Sequence, residues 1–104
     1  MLCYYQSREI QMPKVVVYST AICPYCVRAK ALLQRKGVEY EEKMIEGDRE
    51  AMREMLNRSK RRTVPQIFID DYHVGGYDDM AELDSEGKLD RLLGIAPQEP
   101  DEIT

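Results

Sequence analysis

The sequence predicts an α/β domain: a small four-stranded mixed β-sheet flanked by three or more α-helices. Three observations carry that expectation. The run Lys14-Val-Val-Val-Tyr-Ser19 is β-branched with no polar alternation, which suits a central strand buried on both faces. Two strand–helix units follow one another from there, an order that favours parallel strands joined by a right-handed crossover. Farther on, Asp70-Asp71 separates two short apolar runs, which read as an antiparallel hairpin.

Each element has its own local reason. Residues 1–13 show no sustained period and read as a flexible extension, within which Met12 offers an alternative start. After Ser19, residues 20–23 form a loop. Pro24 suits the first turn of a helix, where a missing N–H costs nothing. Val27, Ala31 and the Leu32/Leu33 pair supply the apolar stripe of that helix, and Gly37 ends it. Residues 38–45 spread Val38, Tyr40, Met44 and Ile45 among charges, predicting a second, more exposed strand. Asp48 is placed to cap a helix running to about Ser59, with Ala51, Met52, Met55 and Leu56 on one face. Thr63-Val64-Pro65 then interrupts the chain. Gln66–Ile69 and Tyr72–Val74 are the hairpin strands, and Gly75-Gly76 break the second. Asp78 is expected to cap a third helix carrying Met80 and Leu83. Gly87 interrupts it, and Leu89, Leu92 and Leu93 form a last short turn before Gly94. The domain is therefore expected over residues 14–94, with an acidic tail over 95–104.

Composition narrows the function. A chain of 104 residues holds one domain, and 43% hydrophobic with 33% charged residues makes it a folded chain rather than a disordered one. No apolar run approaches the ~20 residues of a membrane span, so no membrane partner is expected. Residues 1–13 lack the basic-then-apolar layout of a secretory leader, so the expected compartment is the reducing cytoplasm. Charge is uneven: residues 1–69 carry a net +5 and residues 70–104 a net −9. The basic cluster Arg58, Lys60, Arg61 and Arg62 has no interleaved aromatics and sits in an acidic chain. It reads as a local site for a small anion, and no nucleic-acid partner is expected.

Three cysteines are too few and too odd in number for a disulfide scaffold. Cys23 and Cys26 stand two residues apart where a strand gives way to a helix. A helix N-terminus carries partial positive charge and unpaired N–H groups, which favour a thiolate at Cys23. Such a sulfur is both nucleophile and leaving group near neutral pH. Cys26, one turn farther in, is close enough to close a disulfide and is expected to be less exposed. Cys23 is thus the attacking thiol and Cys26 the resolving one. Two alternatives compete with this reading. A zinc site needs about four ligands, and only Cys3 and His73 remain as candidates without a partner at ligand spacing, so no metal is expected. An inert buried pair calls for an apolar context rather than a helix start. His73 reads as structural and the Met52/Met55 stripe as core.

Cys23-Pro24-Tyr25-Cys26, then Thr63-Val64-Pro65 with Gln66-Ile67-Phe68, then Gly75-Gly76-Tyr77-Asp78-Asp79 occur in that order. With them the chain, from Lys14 to about Gly94, resembles a glutaredoxin of the dithiol class. It is less like thioredoxin, whose active site carries Trp, because this chain has no Trp.

The resemblance implies a thioredoxin fold, glutathione as co-substrate and no tightly bound cofactor. It implies a cis Pro65 opposite the cysteine pair, which would turn the Val64 backbone toward the site. Thr63, Val64 and Pro65 would line the glutathione site. Gly76 would allow close approach, the N–H groups of Tyr77 and Asp78 would receive the γ-glutamyl carboxylate, and the Asp78 carboxylate would pair the ammonium. Tyr25 would form a wall. The implied activity is reduction of protein disulfides and glutathionylated proteins by a monomer. Relatives often carry Lys where this chain has Thr20; Arg61 or Arg62 is a candidate for the missing cation. The rival is a carrier dimer holding a glutathione-ligated [2Fe–2S] cluster. Cluster-bearing relatives tend to lack the Pro-Tyr pair, so Pro24 argues against it. A further alternative is recycling by a thioredoxin-type reductase.

Overall fold

A computed structural model describes residues 13–95. The expected arm and acidic tail lie almost wholly outside those residues, as does Cys3. The elements run β1 (Val15–Ser19), α1 (Pro24–Arg35), β2 (Glu41–Met44), α2 (Arg49–Ser59), β3 (Gln66–Ile69), β4 (Tyr72–Gly75), α3 (Tyr77–Ser85) and α4 (Leu89–Leu92). The sheet order is β2-β1-β3-β4. β1 and β2 are parallel, while β1 with β3 and β3 with β4 are antiparallel. This is the mixed four-stranded sheet that the sequence predicts.

β1 is the centre of the fold because its side chains feed two cores. Val15 and Val17 enter one core with Ala29, Leu33, Ile67, Met80 and Leu89, between the sheet and α1, α3 and α4. Val16 and Tyr18 enter the other with Ile45, Ala51, Met55 and Phe68, beneath α2. A strand sandwiched this way has no solvent face, hence its unbroken apolar run. β2 lies at the edge and is correspondingly polar, with only Lys43 partly buried.

Helix ends follow the chemistry of their caps. Asp48 caps α2 as expected, its carboxylate accepting from the Ala51 N–H at 3.0 Å. Gly37, at φ +72°, turns the chain out of α1. Three expectations are corrected. The second strand begins at Glu41 rather than Val38, although Val38 and Ile45 are both buried. In α1 the inward residues are Cys26, Ala29, Leu32 and Leu33, and Val27 is 59% exposed. Packing of Ala29, Leu32 and Leu33 against the sheet puts Cys26 on the inward face and leaves its neighbour outside. In α2 the buried face is Ala51, Met55 and Ser59, with Met52 at its exposed margin.

Topology brings three loops to one end of the sheet. β1 ends next to the start of β3, because Tyr18 pairs with Gln66. β4 ends beside that same start, because Gly75 pairs with Ile67. The loop into α1, the loop into β3 and the entry to α3 therefore emerge together.

Candidate active site

The cysteine loop is built on the start of α1. Cys23 is the N-cap residue, with extended backbone angles, and Pro24 takes the first helical position. The Cys23 Sγ accepts from the Cys26 N–H at 3.1 Å, so the sulfur occupies the place of a capping oxygen. The first turn of α1 holds no carboxylate to oppose negative charge there. Cys23 and Cys26 are joined as a disulfide, with Cα atoms 5.2 Å apart. Cys23 is half-buried and Cys26 is fully buried, the asymmetry expected of an attacking and a resolving thiol. Behind this loop, the Glu46 carboxylate accepts from the Ala21 N–H at 3.0 Å.

The second loop faces the first. The Val64–Pro65 peptide is cis, and the Val64 carbonyl oxygen lies 3.9 Å from Cys23 Sγ. Pro65 is buried, Val64 half-buried and Thr63 exposed. The third segment, at the start of α3, also closes on the second. An added Cβ on Gly76 would lie 3.6 Å from the Pro65 carbonyl oxygen. The Tyr77 ring lies 6.4 Å from the Tyr25 ring, and the Arg28 guanidinium sits 5.3 Å from the centre of Tyr25. Thus Cys23, Tyr25, Val64, Pro65, Gly76 and Tyr77 come together as expected.

Asp78 is the correction in this group. Gly76, not Asp78, is the N-cap of α3, and Asp78 is an exposed residue of its first turn. The helix starts two residues earlier than expected. Its third position is therefore Asp79, whose Oδ2 accepts from the Gly76 N–H at 3.0 Å. That N–H holds the Asp79 carboxyl below the usual carboxylate range, with help from Arg61 at 3.4 Å and against some burial. Asp79 was missed by the sequence reading; the spacing of a cap residue and an acid three positions on is the signal that finds it. Arg28 was missed too, and its position three residues after Tyr25 on one helix face is the corresponding signal. Arg61 reaches the start of α3 through Asp79, while Arg62 is exposed.

A half-buried sulfur at a capped helix end, bonded to a buried partner sulfur and faced by a backbone segment, equips this site for thiol–disulfide exchange. Among the described residues no three His, Cys, Asp or Glu side chains cluster to hold a metal ion, and no helix is long and apolar enough to cross a membrane.

Comparison with known proteins agrees with the geometry. The family model described as Glutaredoxin matches residues 15–74. Over 82 residues the chain is 54% identical to the Glutaredoxin of Pseudomonas aeruginosa, covering 79% of this chain and 98% of that one. It is equally similar to Glutaredoxin 3 of Escherichia coli K12, with 79% and 99% covered. Among solved structures, Brucella melitensis glutaredoxin superposes with a TM-score of 0.71 at 53% identity, covering 80% of this chain and 90% of that one. A buckwheat glutaredoxin–glutathione complex superposes with a TM-score of 0.71 at 31% identity, covering 91% and 92%.

Proposed function

This chain belongs to the glutaredoxin family, and from that premise we propose that it reduces protein disulfides and glutathionylated proteins at the expense of glutathione. Family and cysteine pair support a thiol–disulfide oxidoreductase; the glutathione-dependent reaction is the step proposed. The observation that carries it is the placement of Cys23 Sγ at the N-cap of α1, facing the Val64 backbone beside cis Pro65. The relative solved with glutathione supports the same ligand.

In the proposed reaction the Cys23 thiolate attacks the glutathione sulfur of a mixed disulfide. The substrate leaves as its thiolate and takes up a proton. Glutathione is left bonded to Cys23. A second glutathione thiolate attacks that bond, freeing Cys23 and leaving as glutathione disulfide. With a protein disulfide, Cys23 attacks first and Cys26 then attacks the mixed disulfide. The substrate is released reduced, and the Cys23–Cys26 bond is reduced in turn by two glutathiones. The bound tripeptide would pair its cysteine with the Val64 backbone, in strand fashion. Its γ-glutamyl carboxylate would meet the N–H groups of Tyr77 and Asp78. The Asp78 side chain would meet the ammonium, with Thr63 and Tyr25 bordering the cleft. The reading includes a monomer working in the cytoplasm.

Glutathione-coupled turnover of the wild type, Cys23→Ser and Cys26→Ser tests this. The first variant loses all activity. The second keeps deglutathionylation and loses reduction of protein disulfides. Equal loss of both activities in Cys26→Ser refutes the division of labour. Visible absorption of protein purified without oxygen separates this reading from the iron–sulfur carrier, which would be coloured.

A further inference from the structure

Behind the Thr63–Pro65 loop lies a polar chain that the reaction as described leaves unused. Gln66, the first residue of β3, has no exposed surface. A buried amide needs partners, and this one has them on both sides. Its Nε2 donates to the Thr63 carbonyl oxygen at 3.0 Å and to Thr63 Oγ1 at 3.1 Å. Its Oε1 lies 2.7 Å from His73 Nε2.

The directions of these bonds are settled by elimination. A carbonyl oxygen only accepts, so the NH2 side of the Gln66 amide must face Thr63. Oε1 then faces His73, and an amide oxygen also only accepts. His73 Nε2 therefore carries a proton. Burial first, then Arg61 and Arg58, hold the imidazole below the ordinary histidine range against Asp79, so at neutral pH that is the ring's single proton. The His73 ring is itself stacked on Phe68, with centroids 4.7 Å apart and 20° between planes. Phe68 belongs to the core beneath α2. The result is a directional chain from edge strand β4, through the interior, to the backbone just before Val64.

We propose that Gln66 and His73 are positioning residues that hold the Thr63–Val64–Pro65 loop at its distance from Cys23, and so set affinity for the glutathione moiety. The proposal deepens the glutathione-dependent reading and rests on it. Neither side chain needs to touch ligand. The Thr63 side chain is held by the Gln66 amide, and its carbonyl is anchored at the point where the chain enters the cis peptide.

The test uses the full chain as Gln66→Met, His73→Phe and His73→Gln. Methionine keeps the length and apolar fit of Gln66 and removes both donors. Phenylalanine keeps a ring on Phe68 and removes the Nε2–H. Glutamine at 73 restores a donor. Two measurements are made on each: deglutathionylation kinetics, and amide hydrogen exchange at Thr63 and Val64 in the reduced protein.

Gln66→Met is expected to raise KM for a glutathionylated substrate about tenfold, the worth of one net hydrogen bond, while kcat stays within about twofold. Exchange at Val64 quickens. His73→Phe moves both readouts in the same direction by less, and His73→Gln returns them toward wild type. Unaltered KM and exchange in folded Gln66→Met overturn the proposal. So does a fall in kcat and thermal stability with KM and loop exchange unchanged, because that describes packing alone. If Gln66→Met does not fold, His73→Phe at the half-buried edge decides by the same criteria. If the wild type fails to turn over glutathione, the function reading falls. The exchange measurement then decides this proposal: quickened exchange supports it and unchanged exchange overturns it.

Discussion

Gly75 and Gly76 are adjacent, yet the structure predicts opposite consequences for placing alanine at each. At Gly75, φ is +112° and an added Cβ would collide with Asp79 Oδ2 and lie 2.9 Å from its Cγ. Backbone of that kind costs a side chain about 1–3 kcal/mol. Asp79 must also swing away, giving up the Gly76 N–H and Arg61; a hydrogen bond to a charged group is worth about 1.5–3 kcal/mol. Together these come to about 3–6 kcal/mol, a large part of the ~5–15 kcal/mol that stabilises a domain. At Gly76, φ is −91°, and the new Cβ would meet only the Pro65 carbonyl oxygen at ordinary contact, 3.6 Å. Its cost stays below about 1 kcal/mol. Urea and thermal unfolding of the reduced proteins, followed by far-ultraviolet circular dichroism, measure both. Gly75→Ala should lower Tm by more than about 12 °C, whereas Gly76→Ala stays close to wild type. A Gly75→Ala protein within about 1 kcal/mol of wild type, or no less stable than Gly76→Ala, would show that neither the Gly75 backbone nor the Asp79 cap carries this stability.

Other expectations concern charge. Hydrogen bonds that Lys36 donates to Asp84, then Asp90, raise its pKa, so the stability it adds is full below the ordinary lysine value of 10.5 and is lost as pH rises through the raised value. Lys36→Met should show a weaker alkaline loss of urea midpoint than wild type; an identical alkaline profile counts against the Lys36 clamp. On the acid side, Glu42 is lowered by Lys30 and then Ser19, so its contribution is present above the ordinary value of 4.5 and lost as pH falls through the lowered one. Asp79, lowered chiefly by the Gly76 N–H, acts in the same direction. Glu42→Gln should therefore flatten part of the acid decline in midpoint, and an unchanged decline removes Glu42 from the account. Thr20→Lys adds a cation to the active-site loop and should move the midpoint of Cys23 alkylation to lower pH; an unmoved or higher midpoint shows that the helix end alone governs this thiol. Arg61→Gln combined with Arg62→Gln should raise KM for glutathionylated substrates about fivefold, and unaltered KM would rule both out as the cation that replaces the lysine absent at Thr20.

The parts of this site that sequence alone makes legible are those ruled by local chemistry. A β-branched run with no polar breaks has to be sandwiched, and β1 is. A cysteine followed by proline at a strand end has to cap a helix, and Cys23 does. Helix phase is less local. Apolar character alone puts Val27 in the core, but the packed face of Ala29, Leu32 and Leu33 decides the rotation. It sends Cys26 inward and leaves Val27 exposed, along with Ile22 at 89% and Tyr25 at 52%. Apolar residues kept in solvent on the loop and first turn that carry a reactive sulfur are a functional signature, and that signature appears only once the phase is known. The same single-residue margin separates Asp78 from Asp79 at α3.

Least legible are bonds made across the sheet. The link from His73 to Gln66 depends on the pairing of β3 with β4, where the register shifts between Ile67 and Phe68. No short-range rule carries that shift, so a histidine between Tyr72 and Val74 reads only as structural. Its structural role is nonetheless aimed: the bond passes through a buried amide to the loop opposite Cys23. The nucleophile follows from the sequence around it, while its distance from the facing loop follows from how two distant strands align. Activity in such a site is therefore open to change from positions that do not touch substrate.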